Sequence, residues 1–322
     1  MTQTSAQAAS WGLVATIKAE AEQILDFAAW HLEQGAHRLF LYLDAPCPDA
    51  LPHLRAHSKI RVIETDVAHW QKRRGGVPPK HQARQSLNAT RAYRRQAGDV
   101  DWLIHLDVDE FLWCGDRIAE VLTALPADTL CARARPLEAL AGEAETSADS
   151  FKARIPSGPE QDHTTERLYP RFGRNLRGGF VSHVQGKLFV RTGLAPVELR
   201  IHNVFVDGAE NPGHCELPAV DLCHLHAESW AQWLAQYRYR HQKGSYRAEM
   251  APARRSDPTS CNLHSLFAAL EAEQGEAGLR AFFDEVCANS DDLRARLQAE
   301  GLLRHRPLAR HAARQRQFPQ YG

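Results

Sequence analysis

Residues 102–113 read W-L-I-H-L-D-V-D-E-F-L-W, and the fold is decided by how they are read. Apolar residues run up to Asp107, and then Asp107, Asp109 and Glu110 place three carboxylates within four positions. A short apolar run that ends in acid is the pattern of a buried strand in an α/β sheet. Its tip faces the crevice at the strands' carboxyl ends, where open α/β sheets bind ligands. Side chains on a strand alternate, so Asp107 and Asp109 are expected on one face and Val108 on the other. Like charges this close need an offset. A hard divalent cation, Mn²⁺ or Mg²⁺, supplies one, taking carboxylate and often phosphate oxygens as ligands. The plainer alternative is an acidic turn after a strand.

Upstream, residues 12–16 (G-L-V-A-T) read as a first strand. Residues 21–34 carry Ile24, Leu25, Phe27, Ala28 and Leu32 at near-helical spacing, and Gly35 ends the helix. Residues 38–43 (R-L-F-L-Y-L) form a second buried strand that delivers Asp44, and 60–64 a third. A basic loop, 72–81 (K-R-R-G-G-V-P-P-K-H), leads into a helix over 81–96. Such alternation predicts an α/β fold with a mainly parallel, Rossmann-like sheet flanked by helices. Right-handed crossovers then place Thr16, Asp44, Glu64 and Asp107 along one edge. Further on, a helix capped by Asp116 is expected over 116–125, a polar loop over 138–165, and strands over 184–190 and 199–206. Helices follow over 229–241, 263–274, 278–288 and 291–300.

The 322 residues carry 39 basic and 39 acidic side chains, so net charge gives no argument for nucleic acid or membrane. Locally the balance fails: residues 304–316 hold five Arg, two His and no acid. Seven cysteines without a C-x-x-C pair fit free thiols in a reducing compartment. The first residues lack the pattern of a signal peptide, and no apolar run is long enough to span a bilayer. The chain therefore reads as cytoplasmic.

Several segments together resemble the family 2 and family 92-like glycosyltransferases of the GT-A fold. T-I-K-A-E-A-E-Q-I-L-D-F-A-A-W-H, 16–31, is similar to the family's opening V-K-N-E segment, with Lys18 and Glu20 matching and Trp30-His31 standing for its Tyr-His. The D-V-D-E-F of 107–111 matches outright. G-K-L-F-V-R (186–191), I-H-N (201–203), and C-H-L-H-A-E-S (223–229) followed by Lys243-Gly244 resemble its later segments in order. Ala19, Leu225 and Glu228 depart from the family's Asn, Tyr and Lys. Lys187, Lys80 or Arg174 then becomes the substitute for the lost lysine.

The resemblance implies sugar transfer from a nucleotide-sugar donor, of the UDP type, to a glycan or lipid-linked acceptor, with a divalent metal on the diphosphate. It implies Asp109 as metal ligand, Asp107 as donor contact or second ligand, and His224 as a further ligand or diphosphate contact. Thr16, Lys18, Glu20, Asp44, Lys80 and Lys187 are the remaining donor-site candidates. Asp44 is alternatively a plain turn residue, and Glu20 alternatively caps the first helix. His224 and His226 share a face if they lie on a strand, and are alternatively buried histidines. A zinc site from His214, Cys215, Cys223, His224 and His226 has irregular spacing and is disfavoured. An inverting displacement needs a base, for which Glu138, Glu143, Asp162 and Asp221 are the candidates.

The expected organisation is a catalytic domain, 1–228, a helical extension, 229–303, and a basic tail, 304–322. The tail reads as an exposed arm, alternatively as a peripheral contact for an anionic membrane surface. No aromatic-interleaved basic patch supports nucleic acid. Two other classes remain: a metal-dependent nucleotidyltransferase or phosphodiesterase, and a non-catalytic glycan-binding protein.

Overall fold

A computed structural model describes residues 8–142, 149–243, 251–254 and 257–321. In chain order the elements are β1 (Trp11–Ile17), α1 (Ala21–Glu33), β2 (Arg38–Leu43), α2 (Leu51–Ala56), β3 (Ile60–Glu64), α3 (Val67–Arg74), α4 (His81–Arg95), β4 (Trp102–His105), β5 (Glu110–Cys114), α5 (Ile118–Thr123) and β6 (Cys131–Ala139). There follow β7 (Ser150–Ala153), α6 (Gln161–Leu168), β8 (Lys187–Arg191), β9 (Val197–Leu199), β10 (Val204–Val206), β11 (Ala209–Glu210) and β12 (His214–His224). The chain finishes with α7 (Trp230–Lys243), α8 (Leu263–Gln274), α9 (Glu276–Val286), α10 (Asp291–Ala299), β13 (Leu303–His305) and α11 (Arg310–Gln317).

Two compact units emerge: Met1–Arg135 with Gln185–Leu222 and Ala309–Gly322, and Pro136–Val184 with Cys223–Leu308. The division cuts across the expected boundaries at 228 and 303. It does so because the chain leaves the first unit within β6 and returns just before β8.

The first unit is the expected α/β sheet. β1 is buried at every position, pairs in parallel with β2 and with β4, and β3 continues the parallel run beyond β2. β8 then pairs antiparallel with β4, and the start of β6 with β8. Register pairs Ile17 with Leu43 and Leu43 with Glu64, so the carboxyl ends share an edge. Helix α4 covers one face with Ala89, Ala92 and Tyr93, against Val14, Phe40, Tyr42 and Leu103. In the second unit Trp233, Tyr237, Phe267, Phe282 and Phe283 form the centre of a helical core.

Four local expectations change. β4 stops at His105, and residues 107–110 form a turn, so strand alternation does not govern the aspartates. The expected loop over 138–165 contains the end of β6, β7 and α6, held by antiparallel pairing of Leu137 with Ala153 and Ala139 with Phe151. The expected strand over 199–206 is a hairpin, because Arg200 N–H closes a turn on the Asn203 carbonyl at 2.8 Å. Helix α5 begins at Ile118 with Arg117, not Asp116, as its N-cap.

The basic tail is not an exposed arm. α11 packs along α1, and Arg314, only 6% exposed, meets Glu22 at 2.6 Å and Asp26 at 2.9 Å. Arg316 pairs with Glu33. An acidic flank on α1 and a basic helix later in the chain thus neutralise each other within the first unit. Replacing Arg314 by Met keeps its stem but leaves Asp26, whose side chain is 15% exposed, without its partner. The expected cost is about 1–3 kcal/mol in urea unfolding. Adding Asp26→Asn should recover part of it.

Candidate active site

The edge formed by the parallel strands is shaped by the turn after β4. Asp107 carbonyl accepts Glu110 N–H at 3.1 Å, and Glu110 Oε2 accepts Asp107 N–H at 2.8 Å. The strand after the turn, β5, is clamped by α1. Trp30 Nε1 donates to Leu112 O at 2.7 Å, and His31 Nε2 accepts Leu112 N–H at 3.2 Å. His31 can accept only with its proton on Nδ1, which faces Phe27 O at 2.8 Å. The Trp-His pair of the sequence is therefore a brace for the strand that follows the acids.

Lys187 lies among those acids. Its ammonium, fully buried, donates to Asp107 Oδ2 at 2.7 Å and lies 3.2 Å from Glu110 Oε2. Burial alone pushes a lysine's pKa down. Here the two carboxylates outweigh it and hold the group above its ordinary value. Gln85 Nε2 donates to the other Asp107 oxygen. Gly186 explains why a glycine precedes this lysine. Its φ is +76°, and a Cβ there would sit 2.1 Å from the Ala134 carbonyl oxygen of β6.

Three carboxylates against one ammonium leave a net charge of −2 on Asp107, Asp109, Glu110 and Lys187. Neighbouring histidines do not alter the sum. Burial, and then the charge of Lys187, lower His105 to about 3 and His202 to about 4, so both are neutral near pH 7.

The fit to a divalent cation is partial. Each Asp107 oxygen already accepts a hydrogen bond, and Glu110 is 1% exposed beside Lys187. Asp109 is half-buried in the turn. Among the described residues no three His, Cys, Asp or Glu side chains converge as a metal cage. A cation here would have to be held by one or two carboxylates, with substrate phosphates and water completing its shell.

The other candidates fall as follows. Thr16, 3% exposed, accepts from Asn88 Nδ2 at 3.1 Å. Asp44 ends β2 with both oxygens bound by Arg84 Nε, at 3.0 and 2.8 Å, and with His81 Nδ1 at 3.1 Å. Burial works against its ionisation, but His81 and Arg84 keep its carboxyl below the usual value. Lys18 is exposed beyond β1, and Lys80 is the exposed N-cap of α4. Glu20 is the N-cap of α1, its N–H donating to Gln23 Oε1 at 3.4 Å. Asp221 lies on β12 in the first unit.

Four candidates belong to the second unit. Glu138 is 2% exposed and accepts from Val181 N–H at 3.1 Å, Ser182 N–H at 2.7 Å and Lys152 at 3.0 Å, a structural arrangement rather than that of a free base. Asp162 pairs with Arg254 at 3.1 Å, and Arg174 donates to Thr259 Oγ1. His224 is buried with its ring centroid 5.3 Å from that of His226 and 6.2 Å from that of His183. Glu143 and Gly244 lie outside the described residues.

No family model and no curated protein matches the chain in sequence. Among solved structures, it is similar to the WbbM bifunctional glycosyltransferase in its apo form, at 13% identity and a TM-score of 0.28, over 39% of this chain and 23% of that one. It is also similar to HddC from Yersinia pseudotuberculosis, at 11% identity and a TM-score of 0.27, over 44% of this chain and 68% of that one. The chain thus spans about a quarter of the length of the first. Likeness at this level carries no argument about activity.

Sequence reasoning missed Gln85, Asn88, His81 and Arg84. The signal was present in α4: residues 85, 88, 89, 92 and 93 form its buried stripe, and two of them are amides. Buried amides on a core stripe mark a polar partner above the sheet.

Two outcomes follow. Lys187→Met leaves buried carboxylate charge uncompensated and should cost about 3 kcal/mol or more in urea unfolding. Adding Glu110→Gln should restore part of that loss. The buried histidines make a pH signature. His31 is lowered by burial from 6.5 to about 3, so its neutral form stabilises the fold above pH 6.5, and that stability is lost as pH falls toward 3. Each such histidine contributes up to about 1.4 kcal/mol per pH unit of descent. The urea midpoint should fall from about pH 7 to pH 5, and His31→Gln should flatten that slope.

Proposed function

We propose that the chain is a divalent-cation-dependent glycosyltransferase that moves a sugar, with inversion, from a UDP-type nucleotide-sugar donor to a glycan or lipid-linked acceptor. The observation that carries this reading is the acid turn: three carboxylates gathered at the carboxyl edge of a parallel sheet, two of them met by one buried lysine. Carboxylate charge there repels a nucleotide diphosphate unless a cation comes between them. The resemblance of five segments, in order, to glycosyltransferases supports the same reaction class.

In this reading Asp109 holds the cation, and Asp107 is a second oxygen ligand or the acceptor for a donor hydroxyl. Bound there, the cation neutralises charge developing on the leaving diphosphate. Lys187 and Gln85 hold the Asp107 carboxylate in one orientation before the donor arrives. Asp44 acts through Arg84 and His81, which it holds near the nucleotide end of the edge. Thr16 of β1 and Asn88 of α4 supply a fixed polar pair between these two groups.

UDP with Mn²⁺ should raise the melting temperature, UDP with EDTA should not, and Asp109→Asn should abolish both that shift and donor hydrolysis. A shift that survives Asp109→Asn removes the assigned ligand. Pyrophosphate release from a nucleoside triphosphate, with nucleotide sugars left intact, replaces the reaction class. UDP binding without any turnover of nucleotide sugars reduces the protein to a binder.

A further inference from the structure

We propose that a cavity on the flank of α4 is a second ligand site, for a phosphate-bearing anion. The cavity encloses about 490 Å³ and is bordered by four arginines: Arg74 from α3, and Arg91, Arg94 and Arg95 from α4. Its one acid, Glu198 on β9, faces Arg200 at 2.8 Å, and its one apolar side chain is Leu87. Four guanidinium groups against one carboxylate leave +3. Small-molecule cavities of this size are usually lined by apolar groups. This lining instead suits a compact, multiply charged oxyanion, which guanidinium forks bind through paired N–H donors.

The donors are available. Among the described residues, the side chains of Arg74 and Arg95 have no ion pair or hydrogen-bond partner. Arg94 spends Nε and Nη2 on the Val197 carbonyl, which fixes its plane and leaves Nη1 to donate. Thr90 is committed to Leu199, so Ser86 is the hydroxyl that remains for the ligand. A ligand here ties α3, α4 and β9 together.

The site is separate from the acid turn. On α4, Gln85 reaches Asp107 from the buried stripe, whereas Ser86 and Leu87 leave the helix beside that stripe and Arg91, Arg94 and Arg95 lie six to ten residues further along, about 9–15 Å down the helix. They also leave the helix on its flank rather than on the buried stripe of 85, 88, 89, 92 and 93.

The phosphate has two sources, a soluble metabolite or a lipid headgroup, and Val67 on α3 and Val77 beyond it are exposed large apolar residues. The test titrates the full chain with inorganic pyrophosphate in EDTA by calorimetry. It also sediments the chain with phosphatidylcholine vesicles, with and without phosphatidylglycerol. Saturable pyrophosphate binding is expected, weakened at least about tenfold by Arg74→Gln with Arg95→Gln, two exposed positions whose replacement should leave the melting temperature unchanged. Asp109→Asn should leave this binding intact. Sedimentation with phosphatidylglycerol that the double variant loses assigns a headgroup. Pyrophosphate binding without sedimentation assigns a soluble ligand. Absence of both, insensitivity of both to the double variant, or loss of pyrophosphate binding in Asp109→Asn overturns the proposal.

Discussion

A single buried ammonium governs the acid edge of this protein. Three carboxylates in one tight turn are unstable company, and Lys187 offsets one unit of their charge from within. Its placement has strict local requirements. β8 must lie beside β6 closely enough that only glycine fits before the lysine, and the ammonium must be sealed from water for its attraction to count. Breaking such a pair leaves an orphaned charge, so the turn, the strand and the glycine stand or fall as a unit.

Around that ion pair the helices divide the labour. α1 holds the strand after the turn through Trp30 and His31, while α4 reaches in from the other side with Gln85 and Asn88. Both use neutral groups. His31 is kept uncharged by its burial, and the amides bring dipoles without adding to the charge sum. Asp107 and Glu110 are thus held in fixed orientations by neutral donors and one buried cation.

Much of this was legible in the residue order. Short apolar runs located β1 to β4, and period-3.6 patterns most of the helices, because burial on both sheet faces or along a helix stripe enforces them. The acid edge was readable because apolar runs ending in polar residues mark strand ends. What escaped were features set by distant partners. Lys187 is far from Asp107 in sequence, and nothing in G-K-L-F-V-R announces that its cation pairs with the acid turn. The basic run from 304 onward looked like a solvated arm because its counter-charges, Glu22, Asp26 and Glu33, lie nearly the whole chain away. The aspartates were placed on a strand because hydropathy does not show where a ladder stops and a turn begins.

The docking of α11 on α1 also bears on how the molecule is made. The first unit is assembled from three separate stretches, and its last piece, beginning at Ala309, is translated after the whole of the second unit. Until then the acidic flank of α1 faces solvent without its arginines. A nascent chain can therefore form the sheet early, yet it reaches its final charge balance only when ribosomal synthesis has passed the last helix.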